Sequence, residues 1–424
     1  MSIELIIFLC MVVTFVAGCF LCKLPVSISM VLSAIIGALV GGYGIPLRHL
    51  VEGMFSYVDT ILTISTAMIF MKVIQESGCL DALSSGIIKH FHKHTNILLC
   101  LIMLVIMFPG MITGSSTAAV LSAGSIMAPV LILMGIPKLE TACIISLGGI
   151  LGMIAPPVNI PAMIIGGGID IPYVGFELPL ALLTFPLAFL FVIMFGRKYV
   201  KKLNYEEIKS KLNNEPMEKY GIRLYIPIIL AIVLMLINKL VPSFSLGMPL
   251  IFLISAIVGL FVGKKINFLK ISKDGIQTVL PVLGILMGVG MFIQIMTLTG
   301  VRGLIVTSCI SLPESLLYIA MSISIPLFGA VSSFGASSVL GVPFLLAFLS
   351  QNQIITAASI SLIASLGDMM PPTALAGIFA AQIVGIEKYT TVLKKCIIPA
   401  IVIIIWAILF IIISPQIAPF IVIK

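Results

Sequence analysis

The sequence predicts an all-α protein that crosses a membrane many times. Of its 424 residues, 60% are hydrophobic and 9% are charged, whereas a soluble domain has about 25% charged residues. Apolar runs of about 18 residues or more recur along the whole chain, and each is long enough to cross roughly 30 Å of hydrocarbon. A pattern containing a double proline also occurs once in each half of the chain. Together these observations predict two repeats of one helical unit.

The predicted elements follow the same order in both repeats. Each repeat is expected to have five crossing helices and one re-entrant hairpin, a segment that enters the membrane and returns on the same side. In the first repeat, 1–196, the crossings are expected over about 3–22, 26–45, 55–77, 141–169 and 176–196, and the hairpin over 96–135. In the second repeat, 224–424, the crossings are expected over about 224–243, 247–263, 276–299, 353–386 and 394–414, and the hairpin over 314–350.

The distribution of positive charge favours a hairpin over two further crossings in each half. Without those crossings, each repeat crosses an odd number of times, so the second repeat is inverted relative to the first. The hydrophilic segment 197–223 has mixed charges and is predicted to be a partly helical cytoplasmic linker. The inside segments then hold 19 of the 24 Lys and Arg residues, as the positive-inside rule requires. Lys72 is placed at a helix end, where its side chain can reach the interface. This bias explains the net charge of +8, so no nucleic-acid partner is predicted.

The double proline belongs to a longer internal duplication. Aligned without gaps, Thr141–Pro157 and Thr356–Pro372 share nine of 17 residues. Upstream, 109–124 and 326–341 share a proline, a serine pair, an alanine and a glycine. Matches of Leu and Ile are common by chance in an apolar chain, but matched Pro-Pro, Ser-Ser and Gly at nearly constant separation indicate duplication.

Each repeat therefore has two predicted interruptions of its helices. Two successive prolines break a helix because each lacks an N–H and clashes with the preceding turn, so breaks are expected at Pro156-Pro157 and at Pro371-Pro372. The Ser-rich hairpin tips are non-helical as well. Backbone groups freed at membrane depth need protein or a wet cavity around them, and broken helices at a repeat interface indicate a transporter's binding site. Free carbonyls and hydroxyls suit a hard cation such as Na⁺, and half-helix N-termini favour an anion.

Two motifs, GSSTAA at 114–119 and SLGGILGMIAPP at 146–157, resemble the large membrane subunit of the tripartite ATP-independent periplasmic (TRAP) transporters. This DctM-like subunit belongs to the wider ion-transporter superfamily, and the similarity extends over nearly the whole chain. The resemblance implies a secondary transporter of the bacterial inner membrane and no enzymatic activity. It also implies an elevator mechanism, in which both hairpins and both broken helices slide against a scaffold. Sodium flow would then drive uptake of an organic anion, usually a carboxylate such as a C4-dicarboxylate or a sugar acid.

The resemblance further implies two protein partners. A periplasmic substrate-binding protein would deliver the anion, and a small four-helix membrane subunit, expected as a separate chain, would brace the scaffold. No cofactor is expected apart from the coupling ion, which is Na⁺, with H⁺ as the alternative. The sequence departs from the family pattern at Asn159, where a serine is expected, and at Asp368, where the first copy has Met153. These departures leave the substrate class and the cation ligands open.

The candidate binding residues lie at the hairpin tips and beside the breaks. Asp368 is the one acidic residue placed well inside the membrane, where a charge is costly and indicates a cation ligand or a proton carrier. It could instead meet cytoplasmic water or cap local backbone. Likewise, the tip hydroxyls could bind ligand or only satisfy their own turn, and Asn159 and Thr373 could face a cavity or act as N-caps. The predicted substrate- and cation-binding residues, including an Na⁺ site at the tips, are Gly114, Ser115, Ser116, Thr117, Asn159, Ser332, Ser333, Gly335, Ser337, Ser338, Asp368 and Thr373.

Other functions stay open at the level of the sequence. A stand-alone sodium- or proton-coupled carrier of the same superfamily would need no partner subunit. An intramembrane aspartyl protease would need a second acidic residue at membrane depth, and a metalloprotease would need an HExxH motif, which the sequence lacks. A passive channel suits matched, inverted breaks less well than alternating access does. The histidines of KHFHKH at 89–94 would not share a helix face, so a solvated loop is predicted there in preference to a metal site.

Overall fold

The computed structural model describes residues 2–200, 215–241, 246–310, 313–348, 350–371 and 374–422, and in these ranges the chain forms helices and no strand. A π-helical turn, Val120–Gly124, joins two short helices of the first half. The helices of the first half are α1 (Ile3–Phe20), α2 (Val26–Val40), α3 (Leu47–Phe55), α4 (Val58–Glu76), α5 (Cys79–Phe91), α6 (Thr95–Thr113), α7 (Ser116–Ala119), α8 (Ser125–Leu133), α9 (Lys138–Ile154), α10 (Ile160–Gly167) and α11 (Glu177–Gly196).

The second half has a similar order of elements. Its π-helical turn is Ser337–Gly341, and 3₁₀ turns follow two of its helices at Gly221–Tyr225 and Leu366–Met369. The helices of the second half are α12 (Glu215–Tyr220), α13 (Ile226–Leu240), α14 (Gly247–Gly259), α15 (Phe268–Leu298), α16 (Val301–Ile310), α17 (Glu314–Gly329), α18 (Ser333–Ala336), α19 (Val342–Ala347), α20 (Gln353–Ser365), α21 (Leu375–Ile383), α22 (Thr390–Lys395), α23 (Ile397–Ile412) and α24 (Ser414–Ile421).

The all-α membrane fold predicted from the sequence is confirmed. Among the described residues, seven helical stretches are long and apolar enough to cross a membrane, when Ser116–Leu133 (α7 to α8) and Glu215–Asn238 (α12 to α13) are each taken as one. Helices α23 and α24 make an eighth if this pair, bent by 82°, is one span. The predicted hairpins correspond to α6–α8 and α17–α19, and the predicted broken helices to α9–α10 and α20–α21. Two expected crossings are short, because α2 has 15 residues and α14 has 13, while a crossing needs about 20. The re-entrant course of the hairpins and the inversion of the second repeat stay predictions.

Five helices, α3, α5, α16, α22 and α24, lie mainly where no helix was predicted. The loop expected at 89–94 is wrong in its first part, because Lys89–Phe91 form the last turn of α5. That helix buries Cys79, Leu80, Ala82 and Ile88 at helical spacing, and it packs against α6. In the linker, residues 201–214 lie outside the described residues, and 215–225 are helical, as expected in part.

The helices pack into two groups. One group, which we call the frame group, contains α1–α4 and α13–α15, with the long α15 packed against α2, α3 and α4. The other, the hairpin group, contains α6–α11, α17–α21 and α23, with α9 packed against α6, α11 and α21. Helix α5 contacts both α4 and α6, and α16 contacts both α15 and α19. These two helices therefore link the groups in the two halves of the chain.

Helices α9 and α20 form the centre of the hairpin group. Every residue from Glu140 to Ile154 and from Ile355 to Ser365 is buried, as expected for helices that are apolar on all sides. A Cβ atom on Gly152 would lie 2.6 Å from the Met107 carbonyl oxygen, and one on Gly367 would lie 2.6 Å from the Gly329 backbone. These two glycines are equivalent in the duplicated stretch, and each holds a hairpin arm close to the broken helix of its own half.

Candidate binding site at the hairpin tips

The tip of the first hairpin is a sharp turn followed by one turn of helix. Helix α6 ends at Gly114, whose left-handed backbone (φ 62°) suits a glycine. Ser115 is the N-cap of α7, and its hydroxyl oxygen accepts a hydrogen bond from the Ala118 N–H at 3.2 Å. The next residue, Ser116, therefore has a hydroxyl that is not needed for the turn.

The tip of the second hairpin has the same design. Ser332 is the N-cap of α18, and its hydroxyl accepts a hydrogen bond from the Gly335 N–H at 3.1 Å. As at the first tip, the next hydroxyl, that of Ser333, takes no part in the cap. Farther into the π-helical turn, the Ser337 hydroxyl donates to the Ser333 carbonyl at 2.8 Å, and that of Ser338 donates to the Gly335 carbonyl at 3.0 Å. These last two serines are buried and satisfied by their own backbone.

The first break is closed by an asparagine. After α9 the chain passes through a cis peptide bond between Pro156 and Pro157 and reaches Asn159, the N-cap of α10. The side-chain oxygen Oδ1 of Asn159 accepts a hydrogen bond from the Ala162 N–H at 2.9 Å. Its side-chain nitrogen Nδ2 donates to the Ile154 carbonyl at 3.0 Å and to the Ser361 hydroxyl at 2.9 Å. The side chain is fully buried and bridges the break and the facing helix α20.

The second break begins with the 3₁₀ turn Leu366–Met369 and continues through Met370 and Pro371 to Ala374. Pro372 and Thr373 lie outside the described residues. Ala374, which aligns with Asn159, has a left-handed backbone (φ 35°) and no side-chain acceptor for the start of α21. The asparagine bridge of the first break therefore has no counterpart at Ala374.

Asp368 connects the two hairpin tips. One oxygen of its carboxylate, Oδ2, accepts a hydrogen bond from the Ser116 hydroxyl. The other, Oδ1, accepts from the Ser333 hydroxyl at 2.8 Å. Hydrogen bonds to an ionised group are stronger than neutral ones. A single carboxylate at the second break thus holds equivalent serines from hairpins far apart in the sequence.

A cavity of about 470 Å³ lies between these tips and the frame group. Its hairpin-group wall includes Met153 and Asp368, which align in the duplication, and Ile160 and Leu375, which also align. Its opposite wall belongs to α4 and α15. The polar and charged residues that line it are Lys72, Gln75, Thr113, Ser115, Ser116, Thr117, Ser122, Thr278, Ser332, Ser333 and Asp368.

The structure brings six predicted site residues to this cavity and places the other described ones elsewhere, while Thr373 lies outside the described residues. Gly114 supports the first turn, Asn159 closes the first break, and Pro371 lines a separate apolar cavity between α17 and α23. Gly335 donates its N–H to the second cap. The predicted residues at the cavity are Ser115, Ser116, Thr117, Ser332, Ser333 and Asp368.

Sequence reasoning missed the contribution of the frame group. Lys72, placed at a helix end to reach the interface, instead lines the cavity beside Gln75, and Thr278 of α15 adds a hydroxyl. A basic residue inside an apolar helix was the available signal, since such residues face a cavity or the protein interior. Which way Lys72 points depends on how α4 packs against α15, and the sequence alone does not specify that.

Comparisons with known proteins agree with this architecture. The sequence profile of a family described as "Tripartite ATP-independent periplasmic transporter, DctM component" matches residues 11–417. The structure is similar to that of MtrF from Neisseria gonorrhoeae, which is described as illuminating a class of antimetabolite efflux pumps. The identity is 15%, the TM-score is 0.62, and the match covers 91% of this chain and 94% of MtrF. It is also similar to the YdaH transporter of Alcanivorax borkumensis, with 13% identity, TM-score 0.63, and coverage of 87% and 88%. A search of curated protein sequences gave no match. At these identities the two structures bear on the fold alone.

Proposed function

The chain belongs to the DctM family, the large membrane component of TRAP transporters, and from this premise we propose that it takes up an organic anion driven by sodium. The family is one of secondary transporters whose members work with a small membrane subunit and a periplasmic binding protein. A carboxylate, such as a C4-dicarboxylate or a sugar acid, is the substrate class we propose. The bacterial inner membrane is the proposed location.

The contact between Asp368 and both hairpin tips carries the proposal of cation coupling. Two carboxylate oxygens and the hydroxyl oxygens of Ser116 and Ser333 lie together at the wall of the cavity. Hard cations prefer oxygen ligands of this kind. If the two hydroxyls rotate, their lone pairs can face a bound Na⁺ beside the carboxylate. Binding of the ion would then tie both tips together before the anion arrives.

The separation into two helix groups supports an elevator mechanism. The cavity lies at the boundary between the frame group and the hairpin group, so a sliding movement of one past the other would carry the tips across the membrane. Its frame wall uses the C-terminal half of α4 and the N-terminal half of α15. The positive-inside rule places these ends at the cytoplasm. We therefore propose that this structure corresponds to the state open to the cytoplasm.

Sodium-dependent thermal stability tests this proposal without knowledge of the substrate. Purified protein in detergent is unfolded by heat while NaCl replaces choline chloride at constant ionic strength. A ligand that binds only the folded state stabilises it by about 2.7 kcal/mol at 100 times its Kd, so we expect a saturable, sodium-selective rise in the melting temperature. Asp368→Asn should abolish the rise. Asp274→Asn, which changes an exposed aspartate of α15 outside the cavity, should retain it.

Two outcomes would contradict the proposal. An equal sodium response in the wild-type protein and in Asp368→Asn would remove Asp368 from the cation site. A flat sodium response, with stabilisation that depends on pH and disappears in Asp368→Asn, would replace sodium by proton coupling through the same carboxylate.

A further inference from the structure

We propose that Lys72 is the anion-binding group of the cavity and pairs with the negative group of the transported solute from the frame side. This inference rests on the proposed function, because it assigns a binding partner to a solute already proposed to be an anion. It adds a residue and a side of the cavity that the sequence motifs do not contain.

The position of Lys72 favours this role. It lies about one turn before the C-terminal end of α4, a 19-residue helix long and apolar enough to span a membrane. It lines the cavity together with Ile64, Met68 and Gln75, which share its helix face. Its aliphatic stem passes beside α15, where a Cβ atom on Gly275 would lie 3.6 Å from the Lys72 Cγ. A charge within a membrane-spanning helix is costly and faces a partner or a wet cavity.

Within the described residues, Lys72 has no acidic partner of its own. The ion pairs of this part of the chain join Arg48 to Glu52 and Lys395 to Glu140. Among the described residues that line the cavity, the charged ones are Lys72 and Asp368, and the Asp368 carboxylate already accepts hydrogen bonds from two serines. The ammonium group is therefore available to a negatively charged ligand.

The charged side chains of Lys72 and Asp368 belong to different helix groups, so each can bind a different ligand. Asp368 and the tip hydroxyls lie on the hairpin group and suit the cation, while Lys72 lies on the frame group and suits the anion. The oppositely charged ligands then bind at opposite walls of one cavity and do not compete for groups. In an elevator, Lys72 would stay behind when the tips move, so it would contact the solute in only one of the two end states.

Charge-selective labelling of the cavity tests this role without the substrate. Gln75→Cys puts a thiol one helical turn from Lys72 on the cavity wall. The protein is treated with two methanethiosulfonates of similar size, the anionic sulfonatoethyl and the cationic trimethylammonioethyl reagent. Labelling of the same protein without Gln75→Cys is subtracted, because the chain has eight native cysteines. One nearby unit charge in a partly desolvated cavity changes such an encounter rate by about tenfold.

We expect the anion-to-cation rate ratio, divided by the same ratio for a free thiol in solution, to exceed one, and Lys72→Gln to reduce it by about tenfold or more. Lys72→Arg, which keeps the charge, should retain the ratio, as should Lys273→Gln, which neutralises an exposed lysine outside the cavity. An unchanged ratio in Lys72→Gln would overturn the inference. The sodium titration of Lys72→Gln separates the two proposals, because a retained sodium response with an unchanged labelling ratio rejects only the role of Lys72.

Discussion

The two helix breaks arise from one duplicated stretch, yet they use their polar groups in opposite ways. At the first break, Asn159 is fully buried and its side chain makes three hydrogen bonds within the protein, while Met153 lines the cavity. At the second, the equivalent of Asn159 is Ala374, and the equivalent of Met153 is Asp368, whose carboxylate meets both hairpin tips.

This difference shows that two copies of one duplicated stretch can keep the same backbone structure and still differ in the roles of their polar residues. The two halves have the same backbone features, since both hairpins have a serine N-cap, a π-helical turn and a glycine packed tightly against the broken helix. The polar chemistry is not shared. The first break is held by the buried hydrogen bonds of Asn159, and the second supplies the charged group at the cavity. Substitutions at the shared features should therefore act alike in both halves, and those at the polar residues should not.

Asn159→Ala should have the largest effect on stability. The change removes an N-cap, worth about 1 kcal/mol, and leaves buried partners unsatisfied at about 1–3 kcal/mol each, so we expect a loss of roughly 2–4 kcal/mol. Thermal unfolding in detergent measures this loss, and the sodium-induced rise of the midpoint should persist. Ser361→Ala, which removes one partner of Asn159, is the matched control and should cost about 1 kcal/mol. A lost sodium response in well-folded Asn159→Ala would show that the first break also binds the ion.

Gly152→Ala and Gly367→Ala test the shared architecture. Each new methyl group would meet backbone atoms at 2.6 Å, and overpacking of this kind costs about 1–3 kcal/mol. We expect similar losses of thermal stability from the two changes. Only Gly367→Ala should also weaken the sodium response, because it displaces the neighbouring Asp368. If Gly152→Ala weakened that response equally, the two breaks would not be functionally distinct.

Sequence patterns were sufficient for the fold because its main signals are local. The length of the apolar runs indicates membrane helices, and paired prolines locate the breaks, whereas the short helices α3, α5 and α16 lie between those runs and were missed. Asp368 was found because a carboxylate at membrane depth is costly. Ser116 and Ser333 were predicted as site residues as well, but their hydrogen bonds to Asp368 were not, since contacts between residues as distant as Ser116 and Asp368 depend on tertiary packing. The place of Lys72 on the cavity wall was not predicted either, because it too depends on tertiary packing.

The smallest losses of stability are expected at the hairpin tips, where the two serines of each tip should differ in their effect on sodium binding. Ser115 and Ser332 cap the tip helices, so changing either to Ala should lower stability by about 1 kcal/mol with little change in sodium affinity. Ser116 and Ser333 contact Asp368, and in the proposed site each supplies one hydroxyl oxygen as a ligand of Na⁺. Changing either to Ala should therefore weaken sodium binding about tenfold or more, measured as the shift in the concentration that half-saturates the rise in melting temperature.

The double variant of Ser116 and Ser333 completes this test. Both hydroxyls contact one carboxylate, so their effects on sodium affinity should not simply add, as is usual for residues that share a partner. If the two effects were additive, or if the cap serines weakened sodium binding more than the serines that contact Asp368, the ion would lie at the tip backbone. The carboxylate would then act only as a structural bridge between the hairpins.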